Sequence, residues 1–190
     1  MSGQVVHELW LVRHGETEWS RDGLHTSVTE LPLTEAGVEV ARQLAARLND
    51  TGFDLVLTSP RSRARRTAEL AGYPTAEVDE DLAEWAYGDY EGVSTAEIRE
   101  TVEGWTVWTH PSPGGESADA VTARLERVVE RVRDAPGRTL VFGHGHALRA
   151  LAALWLGLPV SEGRLFRLDT ATVSVLGFER ETPVILKWNA

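Results

Sequence analysis

Two apolar segments of the chain end abruptly in polar residues that can do chemistry. The first runs from Glu8 into Arg13-His14, and the second, at 139–142, is followed by His144. A neutral imidazole can attack phosphorus and hold it covalently, and its usual pKa of about 6.5 leaves a nucleophilic fraction at neutral pH. The planar fork of an arginine suits the oxygens of a tetrahedral oxyanion. These residue types together predict a phosphate site in which His14 is the nucleophile.

A third polar segment, SPRSRARR at 59–66, follows the apolar residues 55–57 and supplies a second arginine fork at Arg63. Gly145 lets the backbone approach a ligand closely, and the helix that follows it is expected to offer N–H groups to an anion. A leaving alcohol needs a proton, which Glu84 in DLAEWAYGDYEG could donate. Nearby carboxylates remain open alternatives for that role: Asp81, Asp89 and Glu91.

Strands alternate with helices along the chain. Apolar runs predict strands, and Thr34 as an N-cap, Pro60 at a helix start and apolar spacing of three and four predict helices. The predicted strands are 5–12, 55–57, 76–78, 139–142, 171–178 and 184–188. The predicted helices are 34–48, 59–71, 94–102, 117–133 and 147–156, with a loop at 110–117.

This alternation predicts an α/β fold, a three-layer α/β/α sandwich around a mostly parallel sheet, in a single domain spanning 1–190. In such sheets ligands bind beyond the carboxyl ends of the strands. The segments that carry Arg13-His14, Arg63 and His144 each follow a strand. We therefore expect them to converge at one edge of the sheet.

Four sequence blocks resemble the histidine phosphatase superfamily, the phosphoglycerate mutase-like family, in family order. They are LVRHGETEW, SPRSRARRTA, LAEWAYGDYEG and VFGHGHALRAL, and they span about 9–151. The resemblance implies His14 as the phosphorylated nucleophile, Glu84 as the proton donor, and a phosphate pocket of Arg13, Arg63 and His144. It implies that Ser20 and Thr26 add polar contacts to the phosphoryl group, that the fold is phosphoglycerate mutase-like, and that neither a metal nor an organic cofactor is needed.

The resemblance favours a phosphatase of small phosphorylated metabolites, similar to acid phosphatases and sedoheptulose bisphosphatase. Cofactor-dependent mutases usually carry Asn at the position of Ser20 and a longer basic insertion after the acid block, whereas the segment 93–117 here has one arginine, Arg99. His146 replaces a Gly that is common in mutases and either contacts substrate or caps the helix. A mutase and a non-catalytic phosphoester-binding module remain alternatives.

Composition bounds the function further. The chain has 190 residues, a formal net charge of −10 and no cysteine, so disulfides and thiolate metal sites are excluded. The acidic balance argues against nucleic-acid binding, although the arginines of 61–66 leave it as a third alternative. No apolar run reaches the length of a membrane span and no signal peptide is evident, so we expect no membrane partner and a cytoplasmic location. The sequence does not determine the oligomeric state, and a homodimer and a monomer remain alternatives.

Three further features are interpreted conservatively. The pair His144 and His146 lacks a third ligand, so no metal site is predicted. Arg149 is expected to brace its helix rather than to bind substrate. The tryptophans Trp85, Trp105 and Trp108 either line the substrate mouth or pack in the core, which is the commoner fate of aromatic residues.

Overall fold

A six-stranded sheet forms the centre of the protein, in the order β3-β2-β4-β1-β5-β6. The computed structural model describes residues 7–190. The strands are β1 (Glu8–Arg13), β2 (Leu55–Thr58), β3 (Glu77–Val78), β4 (Arg138–Gly143), β5 (Val173–Glu179) and β6 (Thr182–Lys187). β3, β2, β4 and β1 run parallel, and β5 and β6 add an antiparallel pair. The prediction of a mostly parallel sheet is confirmed. Of the two closing strands, β5 pairs antiparallel with β1, and β6 pairs antiparallel with β5.

Helices flank this sheet, and one of them begins directly after Thr34, the N-cap that the sequence predicts. They are α1 (Glu18–Asp22), α2 (Glu35–Leu48), α3 (Ser62–Leu70), α4 (Thr95–Arg99), α5 (Ala118–Asp134) and α6 (Gly145–Trp155). Thr34 accepts the N–H of Gly37 at 3.0 Å and Ser117 accepts that of Ala120 at 3.1 Å. These bonds satisfy N–H groups that the first turn of a helix leaves unpaired.

Most predicted boundaries differ from the structure by a residue or two, and the largest differences lie in β1, α3 and α4. The first strand begins at Glu8, and positions 5 and 6 of its predicted range lie outside the described residues. α3 begins at Ser62 rather than at Ser59, because the N–H of Ser59 pairs with the carbonyl of Phe142 at 2.9 Å and keeps that residue extended. α4 ends at Arg99, and turns replace helix up to residue 102.

The strand alternation places side chains in two cores, one on each face of the sheet. Leu9 and Leu11 of β1 are buried with the apolar faces of α5 and α6, whereas Val12 is buried with those of α2 and α3. Successive side chains of a strand point to opposite faces, so one short segment serves both layers. The predicted three-layer arrangement is confirmed.

The parallel register aligns the carboxyl ends of the central strands. Arg13 pairs with Gly143 across β1 and β4, and Thr58 pairs with Phe142 across β2 and β4. The residues that follow these three strands therefore start from one edge of the sheet. Within residues 7–190, no helix is both long and apolar enough to cross a lipid bilayer.

Candidate active site

His14 follows β1 and is held in a single orientation. Its side chain is buried, and Nδ1 lies 2.7 Å from the carbonyl oxygen of Gly15. A carbonyl only accepts hydrogen bonds, so Nδ1 carries the proton and Nε2 keeps its lone pair. Burial, together with the charges of Arg13 and Arg63, holds the pKa of His14 well below 6.5. The ring is therefore neutral at pH 7, with a nucleophilic Nε2.

Gly15 and Gly37 fix the loop that carries His14. A Cβ added to Gly15 would lie 2.6 Å from the carbonyl oxygen of Gly37, and one added to Gly37 would collide with the carbonyl oxygen of Glu16. The N–H of Gly15 donates to Thr67 Oγ1 of α3 at 2.9 Å. The close approach that Gly15 allows is thus to the backbone of α2, where it anchors the loop that carries His14.

His144 lies beside His14 and is oriented by Ser59. The two imidazole centroids are 5.2 Å apart, and the Oγ of Ser59 lies 2.6 Å from Nε2 of His144. Ser59 Oγ also accepts the N–H of Arg61 at 3.3 Å, which leaves it a proton to donate and a second lone pair to offer at Nε2. Burial and the neighbouring charges of Arg63 and His14 hold the pKa of His144 well below 6.5. The ring is therefore neutral at pH 7, and its Nδ1 is buried without a hydrogen-bond partner among the described residues.

Arg63 is buried and Arg13 is half-buried, and neither has a carboxylate partner among the described residues. Arg13 Nη1 donates to the carbonyl of Leu168 at 2.7 Å, and Arg63 donates to the carbonyls of Thr26, Ser27 and Thr29 at 3.0 to 3.2 Å. The Nε atoms of both arginines are buried with no partner in the protein. Burial lowers the pKa of both, because a charged guanidinium loses hydration. Donors of this kind suit a doubly charged oxyanion.

Glu84 caps α6 with a buried carboxylate. Its Oε1 accepts the N–H groups of Trp85 at 2.9 Å and Ala147 at 2.7 Å, and its Oε2 accepts that of His146 at 3.1 Å. The expectation that the first amides of this helix would hold an anion from outside is wrong for these two amides, because Glu84 already occupies them. The same bonds fix the carboxylate beside the histidines.

The other carboxylates near Glu84 in sequence have structural contacts. Asp81 accepts from Arg127 Nε of α5 at 2.8 Å. Glu91 accepts the N–H groups of Ser27 at 2.8 Å and Thr29 at 3.0 Å, and so shapes the loop that Arg63 also holds. Neither they nor Asp89 line the cavity described next.

A cavity of about 170 Å³ opens at this edge of the sheet. Its lining consists of Arg13, His14, Ser20, Gly23, Leu24, His25, Thr26, Glu84, Tyr87, Gly145, His146, Arg149 and Leu168. Arg63 and His144 are absent from this lining and are 1% and 0% exposed. The structure therefore brings seven of the nine sequence-predicted site residues to one cavity. The other two are buried next to lining residues: His144 contacts His14, and Arg63 donates to the carbonyl of Thr26.

Four predicted binding residues line the cavity, and their polar groups differ in the contacts that they already make. The Oγ of Ser20 is engaged in capping α1, with the N–H of Thr17 donating to it at 2.9 Å. Thr26 donates its hydroxyl to the carbonyl of Leu24 at 3.1 Å. Gly145 packs against the guanidinium of Arg13, where an added Cβ would lie 3.4 Å from Cζ. His146 lines the cavity with its ring, and its Nδ1 lies 2.5 Å from the hydroxyl of Tyr87.

Sequence reasoning missed three residues of the site. His25 and Tyr87 line the cavity with rings whose centroids are 4.7 Å apart and whose planes are tilted by 41°. Ser59, which the sequence indicated only as a helix start, orients His144. His25 lies in a polar loop without a strand before it, and Tyr87 is one aromatic among many, so no periodic signal marked either.

The pair His144 and His146 has separate partners, Ser59 and Tyr87. Residues 7–190 contain no group of three or more His, Asp or Glu side chains arranged to hold a metal ion. The tryptophans are core residues more than mouth residues: Trp85 and Trp105 are 2% and 1% exposed, and none of the three lines the cavity.

The chain belongs to the histidine phosphatase superfamily (branch 1), whose family model matches residues 9–190. It is 44% identical over 178 residues to an acid phosphatase of Mycobacterium tuberculosis, covering 91% of this chain and 87% of the relative. It is 37% identical to a sedoheptulose 1,7-bisphosphatase of Saccharomyces cerevisiae, covering 80% of this chain and 68% of the relative. The resemblance to the phosphatase branch is confirmed.

A solved structure shows the same fold. The product of the open reading frame Rv3214 from Mycobacterium tuberculosis superposes with a TM-score of 0.92 at 40% identity, over 96% of this chain and 97% of that chain. The central sheet flanked by helices is therefore the fold of this superfamily.

Proposed function

We propose that the protein is a metal-independent phosphatase of small phosphomonoesters that works through a phosphohistidine at His14. One observation carries the proposal. A buried, neutral imidazole has its Nδ1 proton bound to a carbonyl, and it lies between two arginines that have no carboxylate partner among the described residues. This arrangement presents a lone pair and a cationic surround to phosphorus, which is what nucleophilic phosphoryl transfer requires.

In the first step Nε2 of His14 attacks phosphorus in line with the ester oxygen. The Nε2–P bond forms as the P–O bond to the alcohol breaks. The Nε groups of Arg13 and Arg63 and the Nδ1–H of His144 donate to the phosphoryl oxygens, where charge accumulates. Donors already oriented in a site of low exposure stabilise that charge without reorganising.

Glu84 supplies the proton that the leaving oxygen needs. It is the one carboxylate on the cavity lining of the described residues, and its orientation is set by three backbone N–H groups. In the second step the same group, now a carboxylate, accepts a proton from water. That water attacks phosphorus, the Nε2–P bond breaks and inorganic phosphate leaves. The sum of both steps is ester plus water giving alcohol plus phosphate.

The cavity size limits the leaving group. About 170 Å³ is below the roughly 300–1,000 Å³ of pockets that enclose drug-sized ligands. A phosphoryl group and a short part of the alcohol fit, and the remainder faces solvent. The substrate class is accordingly a small phosphorylated metabolite such as a sugar phosphate. The names of the acid phosphatase and sedoheptulose bisphosphatase relatives support this class.

The test is phosphate release from aryl and sugar phosphates at pH 4 to 8 in a chelator, with His14→Asn and the control His110→Asn. His110 is not part of the cavity lining. We expect turnover by the parent and the control, no turnover by His14→Asn, and a rapidly trapped acid-labile, base-stable phosphoenzyme in the parent and the control but not in His14→Asn. Tight phosphate binding without turnover would favour the binding module. Isomerisation of phosphoglycerates that far outruns phosphate release would favour the mutase.

A further inference from the structure

Arg149 lies on the wall of the catalytic cavity, one helical turn after Gly145. Residues four apart share a helix face, so α6 presents this guanidinium on the side where Gly145 contacts Arg13. Its bonds agree with the bracing part of the prediction, since Nε donates to the carbonyl of Gly163 at 3.0 Å and Nη2 to that of Arg164 at 3.3 Å. Bracing leaves further N–H groups of the guanidinium available at the cavity.

The guanidinium is stacked as well as hydrogen-bonded. Its Cζ lies 4.8 Å from the ring centroid of Trp108, in cation–π geometry. The segment Val160–Leu165 packs against Trp108 and Arg149 at Gly163. A Cβ added to Gly163 would lie 2.7 Å from the indole of Trp108, so only glycine allows this close packing. A side chain held by two carbonyls and an aromatic face loses little entropy when it binds a ligand.

The charges of the site do not balance for a simple monoester. Among the described residues Arg149, like Arg13 and Arg63, has no carboxylate within ion-pair distance. When Glu84 carries the proton for the leaving group, these three guanidiniums face a phosphomonoester dianion. The dianion balances two of the three positive charges and leaves one unbalanced. Arg149 is partly desolvated, and this burial already lowers its pKa.

We propose that Arg149 binds a second anionic group, a phosphate or a carboxylate, on the leaving alcohol. The substrate class is then a small phosphomonoester with a negatively charged far end. The neutral rings of His25 and His146 line the same cavity as Arg149. Burial and the charge of Arg149 hold the pKa of His146 well below 6.5. Because the cavity is small, the two anionic groups are separated by a short carbon chain.

This inference rests on the proposed phosphatase function, so its test has an arm that needs no turnover. Three probes share a phosphomonoester and differ at the far end: glycerol 3-phosphate is neutral there, 3-phosphoglycerate has a carboxylate, and fructose 1,6-bisphosphate has a second phosphate. The variants are Arg149→Met, the conservative Arg149→Lys, and the control Arg133→Met. Arg133 likewise lies over a tryptophan, 5.4 Å from the Trp155 centroid, and donates to a backbone carbonyl at 3.2 Å, but away from the cavity.

We expect Arg149→Met to lower kcat/KM by about 10- to 100-fold for a probe with an anionic end, mainly through KM, and by less than about threefold for glycerol 3-phosphate. Arg149→Lys should recover part of the loss, and Arg133→Met should change none of the three. The larger loss, with carboxylate or with phosphate, identifies the second group. An equal loss for all three probes, or no loss for any, would overturn the proposal.

The second arm measures binding of the same probes by calorimetry to His14→Asn, with and without Arg149→Met. We expect tighter binding of the probes with anionic ends, and loss of that preference in the double variant. If the parent enzyme fails to hydrolyse any probe while this preference is present, the phosphatase proposal fails and the anion site stands. If hydrolysis proceeds and the preference is absent, the anion site fails alone.

Discussion

Lowering the pH should destabilise the protein through its buried histidines. His14 and His144 alone give the smallest expected loss in the free energy of unfolding. Burial, reinforced by Arg13 and Arg63, holds the pKa of both rings well below 6.5, so the folded state keeps them neutral where the unfolded chain takes up protons. The unfolded state then binds more protons, and stability is lost as pH falls below about 6.5 and is constant above it.

The magnitude follows from linkage. At about pH 5.5, one unit below the unfolded pKa, each ring that stays neutral in the folded state costs about 1.4 kcal/mol, or roughly 3 kcal/mol for the two. That is a large part of a typical total of about 5–15 kcal/mol. The pKa of His25 and that of His146 are also lowered by burial, so these rings add in the same direction.

Urea unfolding at pH 7.5, 6.5 and 5.5 in phosphate-free buffer measures this free energy. The variant His14→Asn removes one of the two rings and should lose about 1.4 kcal/mol of the pH dependence between the two extremes. Acidic side chains titrate mostly below this window. A parent protein whose free energy of unfolding changes by less than about 1 kcal/mol, or a variant with the same slope as the parent, would refute the assignment of neutral buried histidines.

Three other substitutions test separate parts of the site. Glu84→Gln keeps an oxygen for the helix amides but cannot give a proton, so kcat should fall by about a hundred- to ten-thousand-fold on alkyl phosphates and much less on p-nitrophenyl phosphate; an equal loss on both esters would exclude it as the acid. Ser59→Ala should lower kcat by about tenfold and release the tautomer of His144, which ¹⁵N NMR of the ring nitrogens reports; an unchanged Nδ1–H tautomer would contradict the role of this hydroxyl. Gly37→Ala forces a Cβ against the carbonyl of Glu16 and should cost about 1–3 kcal/mol in urea unfolding; unchanged stability would show that the loop moves freely.

Sequence periodicity and end signals determined most of the fold. The N-caps Thr34 and Ser117 begin their helices as predicted, because a cap acts through bonds within its own first turn. Boundaries that depend on distant partners were less predictable. α3 starts late because Ser59 pairs with Phe142, a residue of another strand.

The same division holds at the site. Residue type and position after a strand were enough to predict that Arg13, His14 and His144 lie near one edge of the sheet, since parallel strands align their carboxyl ends. The sequence could not show that Glu84 would occupy the first amides of α6, because that contact joins residues 62 and 63 positions apart.

What the sequence by itself determined is therefore the family, the order of the elements and the chemistry of the central residues, all of which depend on local pattern and residue type. Only the tertiary structure decided which nitrogen of His14 carries the proton, which carboxylate reaches the cavity, and that Arg149 lies on its wall beside Trp108. The physical reason is that a hydrogen bond or a stacked ring requires atoms within a few ångströms. Chain packing alone brings residues that are distant in sequence to that separation.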